Sequence, residues 1–549
     1  MNLRKYIKFK VRTVIAMLQS VKTKVFIITV LLVVYFIIFF VVLEFWYSTK
    51  IGQVEGSLNL EHVIVHIDMK GSPPKLTYLK SLLPELQELG VTGLLLEYED
   101  MFPYEGRLVN ISATNCYEKT ELYDFVSFAT QLGLEVIPLV QTFGHMEHVL
   151  KLAEFKHLRE VPLYPDSICP SKAETHGLIK DMLEQVIIFH NEITPLKHFH
   201  IGCDEVFQIN KCHLCTRRGL RDTEIFVSHL KAVTDIVKAA SPNTTILIWD
   251  DSLKNIPLYK WESFVQDIDV EPVCWDYGTS VSVSHVNLMK YHEKFGNIWV
   301  ASAFKGADGR SASFPDIRRR LHNHYSWLTN IYNYKFGSEN MVYKFKGIIL
   351  TGWSRYSHFD PPCELLPVSI PSLFFNLILV KHFKTYGQFF KNESTSLSTY
   401  ISTYFKDEFM STLKCSDVVN LDFIDGQQCL YNGHELITNL KHLKIISSEI
   451  YSNLNDETND LASIAFYTKT FNVNMHTLKD NIQFCNDTLK ELWHIEVNLR
   501  RNLKMYYGEW FVNEYVDYKM YNLVTKIQEL LKHLKEMMKV RSWGRRPYR

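Results

Sequence analysis

The sequence predicts an α/β protein: a (β/α)8 TIM barrel with an N-terminal transmembrane helix and an α-helical C-terminal module. Three observations predict it. Between residues 62 and 353 eight short apolar runs recur, each followed by a stretch of helical character. The runs show almost no inward/outward alternation, as in parallel strands buried on both faces. After about residue 395 strand-like runs give way to amphipathic periodicity. At 549 residues the chain is long enough for a large barrel and an added module.

Taken in order, residues 1–24 form a basic tail with Arg4, Lys5, Lys8, Lys10, Arg12, Lys22 and Lys24 and no acidic residue. Val25 to Leu43 is 19 residues without a charge. At 1.5 Å per residue it reaches roughly 28 Å, about the hydrocarbon thickness of a bilayer. The positive-inside rule puts the tail in the cytosol and the rest of the chain across the membrane. A cleaved signal peptide would have a shorter apolar core followed by small residues. Here Glu44-Phe45-Trp46-Tyr47 follows, so the segment reads as a type II anchor of a lumenal or extracellular catalytic domain, in the Golgi or later. Residues 44–60 are a stem.

The barrel, residues 61–390, is read from the runs His62–Met69, Val91–Glu99, Leu134–Val140, His198–Asp204, Thr245–Asp250, Glu271–Tyr277, Ile298–Phe304 and Phe345–Trp353. Eight strand–helix units over about 290 residues suit a closed barrel. An open doubly wound sheet would place a glycine-rich fingerprint after the first strand; that strand ends instead in His66-Ile67-Asp68-Met69-Lys70-Gly71. Pro74–Leu89 sets Leu76, Leu79, Leu82, Leu83 and Leu86 on one face before Gly90, and Thr223–Ala240 is a second amphipathic helix stopped by Ser241-Pro242. In the C-terminal region, residues 391–549, His434–Leu454, Lys490–Tyr507 and Leu523–Val540 are predicted helices. Dimerisation, lid formation and stability are all open to them, so a homodimer is one expectation.

Composition narrows the function. Lys+Arg and Asp+Glu balance at 60 each, which argues against a nucleic-acid partner, since that would want a basic face. No phosphate-binding glycine loop and no GxSxG elbow occurs. Ten cysteines and sequons at Asn110, Asn243, Asn392 and Asn486 agree with an oxidising, glycosylating compartment. Cys212-His213-Leu214-Cys215 has metal-like spacing, but no second CxxC or HxxxH lies nearby in sequence. Disulfide pairing, local or with other cysteines, is therefore expected instead of zinc. No metal and no cofactor is expected.

In a barrel the site forms at the C-terminal ends of the strands. Those ends carry Asp68, Glu97, Glu99, Gln141, Asp204 with Glu205, Trp249 with Asp250, Trp275 with Tyr277, Phe304 and Trp353. Three tryptophans beside a carboxylate pair suit stacking on sugar rings. Neighbouring carboxylates push one pKa upward, which can keep one protonated as a general acid. A bare Asp-Glu pair would more simply be a solvated helix cap.

The surroundings decide against the bare cap. His200-Ile201-Gly202-Cys203-Asp204-Glu205 resembles the His-x-Gly-x-Asp-Glu signature of glycoside hydrolase family 20, the β-N-acetylhexosaminidases. The segments at 66–79, 94–106, 139–151, 249–251 and 350–373 resemble the hexosaminidase D branch, so the likeness covers roughly residues 60–385. It implies exo-hydrolysis of terminal N-acetylgalactosamine or N-acetylglucosamine from glycoconjugates by a substrate-assisted retaining mechanism. By this resemblance Glu205 is the acid/base and Asp204 holds the substrate acetamide. Trp249, Trp275 and Trp353 wall the sugar, and Tyr277 binds the acetamide oxygen. Asp68, His145 and Glu97 are candidates for sugar hydroxyls or for orienting Glu205. The family's glutamate two residues after the last tryptophan is here Arg355, with Glu364 the nearby stand-in. The branch favours galactosamine. The rival readings are a catalytically silent sugar-binding barrel and a glycosidase with a protein nucleophile.

Overall fold

The computed structural model describes residues 5–17, 19, 36, 39, 60–336, 343–386, 397, 406–415, 429–455, 474–543 and 545. The chain divides into two compact units. In the first, residues 1–58 with 385–388, residues 5–17 are helical with exposed side chains. The expected membrane span, Val25–Leu43, lies outside the described residues apart from Phe36 and Phe39. Among the described residues the one helix long and apolar enough to cross a bilayer is Leu366–Thr385. It was not expected as a helix of its own, and 89% of its apolar window is buried inside the protein, which makes it a core helix.

The second unit holds everything else. Eight parallel strands close into a barrel: β1 (His62–Asp68), β2 (Gly93–Glu97), β3 (Glu135–Leu139), β6 (His198–His200), β7 (Thr245–Trp249), β8 (Glu271–Trp275), β9 (Asn297–Lys305) and β10 (Lys344–Gly352). The ring order is β1-β10-β9-β8-β7-β6-β3-β2. Each strand falls within or beside an expected run. The two missing numbers are a two-stranded antiparallel hairpin, β4 (Arg159–Val161) and β5 (Tyr164–Ile168), inserted between β3 and β6. Periodicity did not reveal it, because its strands are three and five residues long and only partly buried.

The barrel interior is filled, not hollow. Ile64, Leu95, Ile137, Leu247, Val273, Trp299 and Ile349 form one buried cluster, against which Trp275 and Trp353 pack. Trp299 is the largest plug near the N-terminal end. Its indole N–H donates to Glu271 Oε2 at 2.6 Å, its ring stacks on His62, and Gly347 gives it room: a Cβ there would fall 2.5 Å from the ring. The opposite end of the same interior is thus left for the site.

The helices Leu76–Glu88 and Asp222–Ala240 bury the faces their leucine and apolar spacing predicts. The C-terminal helix His434–Asn455 matches its expected bounds to one residue, whereas Met475–Tyr506 and Glu509–Met537 begin about four turns before the expected Lys490 and Leu523. They dock on loops at the strands' C-terminal ends. The Tyr506 carbonyl accepts from the Lys75 amide at 2.7 Å, Tyr507 accepts from the Leu366 amide at 3.2 Å, and Lys519 donates to Ser313 at 3.0 Å.

Candidate active site

At the C-terminal end of the barrel lies a cleft of about 330 Å³, lined by Lys70, His145, Asp204, Glu205, Trp249, Trp275, Tyr277, Trp353, Arg355 and Tyr356 among others. Seven of the nine site residues expected from the sequence therefore meet in one place. His145 is one of the seven.

The carboxylate pair owes its placement to a break in strand geometry. Adjacent residues of a pleat point to opposite faces. Here β6 ends at His200, and the chain then takes left-handed backbone at Gly202 (φ 67°), Cys203 (φ 69°) and Glu205 (φ 44°). Gly202 is required, since a Cβ would lie 1.9 Å from Gln141 Oε1. Left-handed backbone at Cys203 and Glu205 costs roughly 1–2 kcal/mol each. The result is that both Asp204 and Glu205 face the cleft. The loop carrying His145 packs tightly on this turn: a Cβ on Gly144 would fall 2.1 Å from the Asp204 carbonyl oxygen.

His145 links the two acids. Its Nε2 lies 3.2 Å from Glu205 Oε2 and 3.6 Å from Asp204 Oδ2, while its Nδ1 is 3.8 Å from Glu147. Burial alone would pull the imidazole down, but Asp204, Glu147 and Glu205 outweigh it and hold the pKa well above 6.5. The protonated ring lowers the pKa of Glu205 through its hydrogen bond. Burial raises that of Asp204 against the pull of His145. The sequence reading expected mutual repulsion to raise one pKa of the pair; instead burial raises Asp204, and His145 lowers Glu205, the expected acid. Asp204 is 7% exposed, and its Oδ1 has no protein partner among the described residues. A buried acceptor left unpaired is costly unless a ligand donor meets it.

The aromatic walls are held in place by their own hydrogen bonds. Trp353 Nε1 donates to Tyr277 Oη at 3.0 Å, and Tyr277 stacks on Trp275 at 5.1 Å between centroids. Trp275 Nε1 donates to Asp251 Oδ2 at 2.7 Å. Burial, then the charge of Asp204, pushes Asp251 up to about 6. Trp249, 1% exposed, sits 5.9 Å from Trp353.

Two candidates do not reach the cleft. Both oxygens of Asp68 are taken by backbone: Oδ1 accepts from the Lys70 amide at 2.9 Å and Oδ2 from the Ser354 amide at 2.8 Å. Asp68 thus ties β1 to the loop after β10. Glu97 is fully buried between His66 Nε2 (3.0 Å) and Gln141 Nε2 (3.1 Å). Glu364 does not replace the family's outer glutamate either. It is buried and accepts from the amides of Gly306 and Asp308.

A family model described as "Glycosyl hydrolase family 20, catalytic domain" matches residues 78–279, a stretch that includes Asp204, Glu205, Trp249, Trp275 and Tyr277. Hexosaminidase D of Bos taurus is 40% identical over 346 residues, covering 62% of this chain and 96% of the bovine protein. The chain belongs to glycoside hydrolase family 20. Within it the chain lies on the hexosaminidase D branch. Hexosaminidase D of Homo sapiens is 42% identical over 328 residues, covering 58% of this chain but only 65% of the human protein's length. Among solved structures, the β-N-acetylhexosaminidase from Bacteroides fragilis NCTC 9343 matches 58% of this chain and 66% of its own at 15% identity, with a TM-score of 0.42.

Other residues in and beside this family 20 cleft complete its walls. Lys70, two residues after β1, is buried, with Nζ 3.2 Å from Glu99 Oε1 and 5.8 Å from the Trp353 ring. Burial opposes its charge, but Glu99, Asp68 and Glu97 together hold its pKa well above 10.5. Asp251 lies in the 249–251 segment, and the sequence alone gives it no role. Its position beside Trp275 required the fold, because the two residues lie on successive strand ends 24 positions apart. Arg355 lines the cleft while its Nη2 donates to the Gly71 carbonyl and lies 2.7 Å from Glu514, a residue of the last C-terminal helix.

Proposed function

We propose that the protein removes a terminal N-acetylhexosamine from glycoconjugates by substrate-assisted, configuration-retaining hydrolysis. One observation carries this reading: among the described residues, Asp204 and Glu205 are the only carboxylates that line an aromatic-walled cleft of about 330 Å³. The unpaired Asp204 Oδ1 is an acceptor suited to a substrate acetamide N–H. Holding that group orients the acetamide oxygen to attack C1, so that a cyclic oxazolinium forms and no protein nucleophile is needed. As positive charge grows on the acetamide, ionised Asp204 stabilises the transition state more than the ground state. Glu205, 42% exposed at its side chain and facing the opening, is suited to protonate the glycosidic oxygen and then to deprotonate the incoming water. At neutral pH the pair's proton rests on His145, whose pKa is raised while that of Glu205 is lowered, and Glu205 draws it through their 3.2 Å contact. Trp249, Trp275 and Trp353 stack on and enclose the sugar, and Tyr277 Oη faces the acetamide oxygen. A thiazoline mimic of the oxazolinium is expected to inhibit competitively, with no sugar adduct in the intact-protein mass spectrum. No inhibition together with a trapped covalent adduct would overturn substrate assistance in favour of a protein nucleophile.

The same reading extends to location. Val25–Leu43 would anchor the chain as a single-pass type II membrane protein with the barrel on the lumenal or extracellular side. Support comes from the uncharged 19-residue run behind a basic tail, the Cys415–Cys429 disulfide, and the exposed sequons at Asn110 and Asn243. Endoglycosidase treatment should then increase the gel mobility of the cell-expressed chain, and protease added to sealed vesicles should spare the barrel. A barrel digested in sealed vesicles would place it in the cytosol. The branch favours galactosamine at the cleft. A homodimer through the C-terminal helices would give twice the chain mass in light scattering of the detergent-solubilised protein.

A further inference from the structure

We propose that Glu160, Cys169, Cys212 and Cys215 form a structural zinc site that fastens the loop after the catalytic pair to the hairpin supporting His145. The sequence offered only Cys212-x-x-Cys215. The fold brings the other half from the β4–β5 insertion: Glu160 from β4, and Cys169 directly after β5. One ligand atom from each of the four residues lies within 4.8 Å of every other. Cys169 Sγ is 3.3 Å from Cys212 Sγ and 3.6 Å from Cys215 Sγ, and Cys215 Sγ is 3.3 Å from Glu160 Oε2. Thiolates about 2.3 Å from a tetrahedral zinc stand about 3.8 Å apart, so small movements would admit the ion.

Two features favour a metal over a disulfide. Three thiols converge, so any disulfide leaves one over, and all three are free in the structure. Glu160 is 1% exposed and has no ion-pair partner among the described residues. A buried carboxylate without a cation is costly, and hydrogen bonds from the Lys211 and Cys212 amides at 2.7 Å each fix its orientation without neutralising it. The Cys215 amide points at Cys212 Sγ at 3.3 Å, the N–H···S contact that orients and stabilises a bound thiolate. A sulfur-rich, four-ligand set suits zinc over hard oxygen-seeking cations. On binding, Zn2+ displaces the thiol protons of Cys169, Cys212 and Cys215 to solvent and no redox change occurs.

The position gives the site a purpose. The hairpin supports the His145 loop through the Met146 amide on the Asp166 carbonyl (2.9 Å) and the Ile168 amide on the Phe143 carbonyl (3.1 Å). The segment that follows Glu205 reaches Cys212 after touching the hairpin at Gln208, whose amide donates to Ser167 Oγ at 3.3 Å. A zinc at this junction would join, from behind, the two loops that bear the His145–Glu205 contact.

The test is metal content of the full chain purified without chelator, followed by exchange with Co2+. About one zinc per chain is expected, and the cobalt form should show the intense visible bands of a tetrahedral ion with thiolate-to-cobalt charge transfer in the near ultraviolet. Cys215→Ser should lose both signals. Glu160→Gln, which keeps the fold's shape, should weaken zinc binding at least about tenfold. Cys485→Ser, in a C-terminal helix, should change neither. A chain that retains no zinc and takes up no cobalt would overturn the proposal, whether thiol counting finds three free thiols or peptide mapping finds a Cys169–Cys212 bridge.

Discussion

The proton between His145 and Glu205 is the site's most sensitive point at the residue scale. Burial and three carboxylates act on His145 with opposite signs, and the carboxylates prevail, so the pair carries one proton through neutral pH. The pair titrates as a unit. Its proton is lost only when pH rises through the raised His145 pKa, which sets the basic limb of the kcat/KM profile. The acid limb belongs to Asp204, which must be ionised and whose pKa burial lifts above 3.8. His145→Gln removes the cation and leaves Glu205 to titrate alone near the ordinary glutamate range. The basic limb is therefore expected to move to lower pH by more than about one unit. A pH profile unchanged in that variant would mean that the acid proton does not reside in the pair. Gly144→Ala is expected to cost activity for a steric reason: its Cβ would collide with the Asp204 backbone. Loss of turnover with an intact melting transition would locate the damage in the site.

The elements explain why some of this was legible in the sequence and some was not. The eight barrel strands were readable because both faces are buried, which leaves long unbroken apolar runs. Asp204, Glu205 and the three tryptophans were readable because they end those runs. What escaped depends on contacts between distant residues. The β4–β5 hairpin is short and half-exposed, so it has no periodic signature, yet it holds the loop of His145. Asp68 and Glu97 end strands as an active-site residue would, but their oxygens are taken by the Ser354 amide and by His66 and Gln141. No local pattern distinguishes a carboxylate that binds backbone from one that binds ligand. The Leu366–Tyr386 helix was missed because it is apolar on all sides and shows no stripe. The plug beneath the site predicts a stability effect: Trp299→Ala should destabilise the barrel by about 3–5 kcal/mol, measured as a lowered denaturant midpoint. A shift below about 1 kcal/mol would mean that the interior does not rest on this side chain.

At the scale of the whole molecule, the barrel supplies the chemistry and the C-terminal helices hold its rim. Glu514 reaches from the last helix to Arg355 in the cleft wall, and Tyr506 and Tyr507 secure the loops after β1 and β10. Glu514→Gln is accordingly expected to raise KM severalfold with little change in kcat, because it loosens a cleft residue without touching the reacting atoms; an unchanged KM would separate the helices from the site. The family resemblance places a glutamate where this chain has Arg355, which leaves the choice between galactosamine and glucosamine to measurement. One measurement tests both mechanism and preference: hydrolysis of paired aryl β-glycosides of N-acetylgalactosamine and N-acetylglucosamine by the parent, Glu205→Gln and Asp204→Asn. The parent is expected to turn over, with the galactosamine substrate preferred. The Glu205 variant should fall by about 10²–10⁴ in kcat, as for loss of a general acid, and the Asp204 variant by about 10²–10³. A folded parent that hydrolyses neither sugar, or variants as active as the parent, would contradict the account and leave a sugar-binding barrel in its place.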